Sequence, residues 1–165
     1  MLEHCENKKE RWGGVEAIIG NWISERSQLL VKYCDLSAII SALSEDASES
    51  KEVKQAATEL DAFCQLLMDY ICAGHFEVFD QLINEAEDFD DGGLEYAAKI
   101  YPGIEASTEH ALSFNDLYDG CGGARLLSTE LQTDLSALGE NLSQRFDLED
   151  QLLEKMHYQH QKTIA

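Results

Sequence analysis

The sequence predicts an all-α protein, a helical bundle of four or more helices whose first and last members are long. Three observations carry that prediction. Apolar residues recur at spacings of three and four along most of the chain, no stretch alternates with period two, and the breaks fall at polar or glycine-rich runs. At 165 residues, 44% of them hydrophobic, the chain is long enough to bury one core. A single helical domain over residues 11–160 is therefore expected, with a polar N-terminal segment at 1–10 and a C-terminal tail at 161–165.

The first helix is marked by Val15, Ile18, Ile19, Trp22, Leu29, Leu30, Tyr33, Leu36 and Ile40, with the long-stemmed Arg26 filling one turn of the stripe. It should end near Ser44, where the polar run to Ser50 reads as a loop holding several N-cap residues. Val53, Ala56, Ala57, Leu60, Phe63, Cys64, Leu67 and Ile71 define the second helix. Leu66, Met68 and Tyr70 extend its apolar character, so it should be covered on more than one side. Gly74 is positioned to stop it. A short third helix carries Phe76, Phe79, Leu82, Ile83 and Ala86, and the acidic run Glu85–Asp91 before Gly92-Gly93 reads as a solvated connection.

Leu94–Tyr101 then meets Pro102, the single proline, which should kink or break the helix before Ile104–Leu117 resumes the pattern. One bent helix and two short ones both satisfy that spacing. The glycines of Asp119–Gly123 make a break. Leu131, Leu135, Leu138, Leu142, Phe146, Leu153 and Met156 mark the long last helix, with Ser128 as its cap ahead of Glu130.

Charge narrows the function. Twelve basic against thirty-two acidic residues give a net charge of −20, which repels nucleic-acid phosphates and anionic lipid heads. Direct nucleic-acid and membrane binding are excluded on that ground; the same field either keeps the chain in solution or draws in a basic protein. The N-terminus is polar and charged, and no apolar run approaches the roughly 20 residues of a membrane helix, so a cytoplasmic location is expected. Five cysteines, with no Cys-x-x-Cys pair, fit neither a disulfide framework nor a zinc site. Cys34, Cys64 and Cys72 are expected in the core, and Cys5 and Cys121 in polar surroundings.

Enzyme chemistry finds little support. The chain has no phosphate-cradling glycine loop and no Gly-x-Ser-x-Gly elbow. A di-metal carboxylate bundle needs two Glu-x-x-His motifs, and only Glu154-x-x-His157 fits, with His160 a turn later. Those residues read instead as a solvated helix end, and His110, beside Glu109, as an exposed side chain. No catalytic residue, metal or cofactor is assigned.

Asp69 is the residue that invites a reason, because it sits on a helix with apolar character on several sides. Were it partly buried, its ionised form would need a cation or hydrogen-bond donors. An internal partner such as Arg26 would make it structural, whereas an arginine from a bound protein would make it an interaction centre. His75, just after Gly74, is suited to meeting helix carbonyls.

The stretch Leu60–Phe76, with Leu29-Leu30-Val31-Lys32-Tyr33 before it and Ala97-Ala98-Lys99-Ile100-Tyr101-Pro102 and Arg145-Phe146-Asp147-Leu148-Glu149-Asp150 after it, resembles the regulator of sigma D family, the Rsd/AlgQ anti-sigma proteins of bacteria. The likeness runs from about Arg11 to about His157; the glycine-rich Asp119–Gly123 departs from it. The resemblance implies a helical protein that binds the primary sigma factor of RNA polymerase at the domain reading the upstream promoter element, and sequesters it. Asp69 falls at the aspartate of the family's Asp-Tyr-x-x-Ala-Gly-His-Phe motif, which implies a sigma-binding role. Leu66, Tyr70, Phe76 and Trp22 are its candidate partner-binding neighbours, with Arg26 and His75 completing the set. The rival readings are an acidic helical adaptor for another signalling protein and a metal-binding bundle enzyme.

Overall fold

A computed structural model describes the backbone of residues 2–43, 51–121 and 123–164, and side chains within 10–43, 51–121 and 125–161. The expected loop at Ser44–Ser50 and the side chain of Cys5 lie outside these. All regular structure among the described residues is helical. Helix α1 spans Leu2–Ala42, so it runs back through the polar segment, and α2 spans Lys51–Ala73. The two pack antiparallel: Trp22 lies against Tyr70, while Tyr33 lies against Phe63. Helices α3 (Phe79–Phe89), α4 (Gly93–Tyr118), α5 (Gly123–Leu126), α6 (Thr129–Leu153) and α7 (Gln159–Ile164) follow.

The long helices form where the apolar stripes predicted them. Leu29, Leu36, Leu60, Phe63, Leu67, Leu131 and Leu138 have no exposed surface, and α4 packs along α6 as α1 does along α2. Ser128 caps α6 by accepting from the Leu131 amide at 3.3 Å. Pro102 neither breaks nor ends α4, which continues for sixteen residues beyond it to Tyr118. One continuous helix is thus the outcome. The break after Asp119 is present, with Gly120 at φ +67°, and the short α5 beyond it was not anticipated.

Three expectations fail. Gly74 does not stop α2; a π-helical turn at Gly74–Val78 carries the chain straight into α3. The glycine serves close approach instead, since a Cβ there would stand 2.9 Å from Cζ2 of Trp22. The acidic run is not a solvated connection: α3 extends to Phe89, and Glu85 is buried. Cys34 and Cys72 are exposed and only Cys64 joins the core, where burial pushes its thiol up to about 12. Cys121 is half-buried.

Candidate functional site

Four polar side chains meet inside the bundle behind the Asp69 segment. Arg145 and Glu149, four residues apart on α6, share one helix face, and both are wholly buried. Arg145 Nε donates to Glu149 Oε1 at 2.6 Å, and its Nη1 donates to Thr108 Oγ1 at 2.9 Å. Glu149 Oε2 accepts from Arg26 Nη2 at 2.9 Å and from the Tyr70 hydroxyl. Arg26 Nε donates to the Tyr70 hydroxyl at 3.0 Å, and its Nη1 to Asp150 Oδ1 at 2.5 Å. Burial raises the Glu149 carboxyl, against the opposing pull of Arg145, Tyr70 and Arg26. Burial, and then the Glu149 charge, hold the Tyr70 phenol well above its ordinary range.

This knot settles where three of the candidates stand. Trp22 is buried, donates its indole N–H to the Tyr70 carbonyl at 3.0 Å, and stacks on the Tyr70 ring with centroids 5.1 Å apart. Arg26 lies 4.9 Å from the Phe146 ring centroid, a cation–π distance. Trp22, Arg26 and Tyr70 therefore face inward and hold the inner side of α2.

The outer side is different. Asp69 is exposed, and its Oδ1 accepts from the Gln65 amide at 2.9 Å. The internal pairing with Arg26 does not occur, because that guanidinium is committed to Tyr70, Glu149 and Asp150. Across the α1/α2 seam lies Glu25, and Glu77 follows in the π turn. The Glu25 carboxyl is pushed up by partial burial, then by the charges of Glu77 and Asp69, and its Oε2 is buried without a hydrogen-bond partner among the described residues. At one end of these three carboxylates, a shallow groove of about 400 Å³ is lined by Ser27, Gln28, Val31, Lys32 and Leu66. Val31 is 62% exposed, and Leu66 is half-buried. At the other end Phe76 is 69% exposed, its ring edge-on to His75 at 4.8 Å. His75 is exposed, and its Nδ1 lies 3.3 Å from the Tyr101 hydroxyl rather than on helix carbonyls.

Of the seven candidates, then, the fold leaves Asp69, Phe76 and His75 exposed, sets the half-buried Leu66 in the groove beside α1, and turns Trp22, Tyr70 and Arg26 inward. Sequence reasoning missed Glu25, Glu77 and Val31. Glu25, Gln28, Lys32 and Asp35 recur at helical spacing on α1, but a polar stripe looks like any solvated face until its neighbour is known. The reading of Glu154, His157 and His160 as a solvated helix end also fails: both histidines are buried and bonded to carboxylates. His110 is half-buried. No group of three or more His, Cys, Asp or Glu side chains among the described residues is arranged to hold a metal, and no helix there is long and apolar enough to cross a membrane.

The Asp69, Glu25 and Glu77 carboxylates thus lie within electrostatic reach of one another on a helical protein of net charge −20. Comparison with known proteins identifies the class of that helical protein. The family model described as "Regulator of RNA polymerase sigma(70) subunit, Rsd/AlgQ" matches residues 1–157. A "Regulator of sigma D" of Yersinia pseudotuberculosis serotype O:1b (strain IP 31758) is 34% identical over 154 residues, covering 93% of this chain and 88% of that protein. Its namesake in Salmonella paratyphi B (strain ATCC BAA-1250 / SPB7) is 35% identical over 162 residues, covering 93% and 90%. The chain belongs to the Rsd/AlgQ family, whose members are described as regulators of the sigma(70) subunit of RNA polymerase.

Proposed function

We propose that this chain binds the primary sigma factor at its promoter-upstream-element-reading domain, in the cytoplasm, and lowers sigma-dependent transcription by sequestering it. No covalent chemistry is involved. A domain that reads DNA presents basic side chains to phosphates, and the Asp69, Glu25 and Glu77 carboxylates offer those side chains an alternative. The observation that carries the reading is the exposed Asp69, left by Arg26 and set beside a Glu25 oxygen without a partner among the described residues. Phe76 at one end and Leu66 with Val31 at the other supply apolar anchors, while Trp22, Tyr70 and Arg26 keep α2 oriented from behind.

The test is titration of the purified chain against the primary sigma factor and against the same factor lacking its upstream-element-reading domain. Binding that requires that domain, and that Asp69→Ala weakens with the helical signal intact, supports the proposal. Equal binding without the domain overturns the assignment of the contact. Failure to bind sigma at low salt, with capture of a different basic protein, would favour the adaptor reading.

A further inference from the structure

Away from the Asp69 face, the C-terminal segment is held to the rest of the bundle by a buried set of ionisable groups. Glu85 of α3 presents one carboxylate oxygen to each of two histidines: Oε2 to His157 Nδ1 at 2.7 Å and Oε1 to His160 Nδ1 at 2.5 Å. The opposite nitrogens also meet carboxylates, with His157 Nε2 at 2.7 Å from Glu16 Oε2 on α1 and His160 Nε2 at 3.2 Å from Asp91 Oδ2. An ionised carboxylate only accepts, and a neutral imidazole has one N–H. Each ring satisfies both of its carboxylates only as imidazolium.

The surroundings agree with that state. Trp12 stacks on the His157 ring at 4.7 Å and Phe89 on the His160 ring at 3.8 Å, placing each cation over an aromatic face. Lys155 is 3.4 Å from the Asp91 carboxylate, and Arg11 on α1 is engaged by Asp88 on α3 at 2.7 Å. The phenol of Tyr158, beside His157, is itself held up by burial and by Glu16. Two imidazolium ions and Lys155 thus face the three carboxylates Glu16, Glu85 and Asp91. Removing the two imidazole protons leaves the Glu85 carboxylate in the interior, with Glu16 and Asp91 facing the pair of rings from the solvent edge and Lys155 beside Asp91, within a chain already at −20.

We propose that the His157–Glu85–His160 cluster is a pH-operated latch, which fastens the segment 154–161 to α1 and α3 while both imidazoles are protonated and releases it as they lose their protons. The second π-helical turn, Glu154–Tyr158, lies within the released segment. Desolvation works against the His157 cation, but Glu85 and Glu16 outweigh it and hold its pKa above the ordinary value. The sign follows: the stabilisation is complete below the unfolded histidine pKa, about 6.5, and is lost as pH rises through the folded one. The latch opens on the alkaline side.

Side-chain NMR and hydrogen exchange of the full chain between pH 6 and 9 test this. His157 is expected to titrate above the ordinary histidine range, and amides 154–161, corrected for intrinsic exchange, to lose protection tenfold or more while those of α2 and α6 keep theirs. Glu85→Gln removes the shared charge, and should return His157 to the ordinary range and abolish the pH dependence of protection. Glu16→Gln, at the solvent edge, should lower the His157 midpoint and serves if Glu85→Gln does not fold. Protection of 154–161 that is independent of pH, or a His157 midpoint at or below about 6.5, overturns the latch.

Discussion

Replacing Glu149 by glutamine tests how the outer face is supported from within. The substitution keeps the side-chain volume and removes one charge. In the native chain that carboxylate receives Arg145 at 2.6 Å, Arg26 at 2.9 Å and the Tyr70 hydroxyl. Arg145 is wholly buried, and its one ion-pair partner among the described residues is Glu149. The loss is therefore that of a buried cation left uncompensated, about 3–5 kcal/mol, rather than that of one ordinary hydrogen bond. For a domain of this size that corresponds to a fall in Tm of roughly 6–20 °C. Asp150→Asn is the control: the Asp150 side chain is 60% exposed, and its contact with Arg26 should contribute about 1 kcal/mol or less. Urea melts followed by circular dichroism, with the slope m unchanged, would measure both. A Glu149→Gln variant within about 1 kcal/mol of the parent would refute the reasoning that this knot fixes α2.

Other outcomes follow from single positions. Gly74→Ala drives a methyl against the Trp22 ring, 2.9 Å from Cζ2, and should destabilise by about 1–3 kcal/mol, read as a lower Tm with altered tryptophan fluorescence. In the native chain a thiol reagent at pH 8 should label Cys34 and Cys72 and leave Cys64 unmodified until denaturant is added, as peptide mass spectrometry would show. Glu25 is held above its ordinary pKa by burial and by Glu77 and Asp69, so a cation arriving there should lower it. Complex formation near pH 5 should then release protons, and at pH 7.5 release none from this group; calorimetry in buffers of different ionisation enthalpy distinguishes the two.

The helices were legible because their signal is local. The stripes of α1, α2 and α6 predicted core residues that are buried, from Leu29 and Leu60 to Leu131 and Leu153. What failed depended on other segments. Gly74 looks like a helix stop unless Trp22 is known to press on it, and a π turn leaves no mark in a stripe of apolar residues. Glu85 and His157 are 72 positions apart, so neither the buried carboxylate in the acidic run nor its histidines could be seen from composition. At the candidate site, Asp69 was singled out on sequence grounds, but its exposure, and the commitment of Arg26 elsewhere, required the packing of α1 and α6 around Tyr70. Glu25 joins Asp69 and Glu77 only through the α1/α2 seam.

In the proposed function, Asp69 serves a partner rather than this chain's own stability. The most direct measurement is the affinity of Asp69→Ala for the upstream-element-reading domain of the primary sigma factor, taken with the variant's own unfolding free energy at two salt concentrations. The variant's stability should stay within about 0.5 kcal/mol of the parent and its affinity fall by about 1.5–3 kcal/mol, roughly 10- to 150-fold, with the parent's association rate falling as salt rises. Unchanged affinity, or a loss of folding in step with a loss of binding, would contradict it.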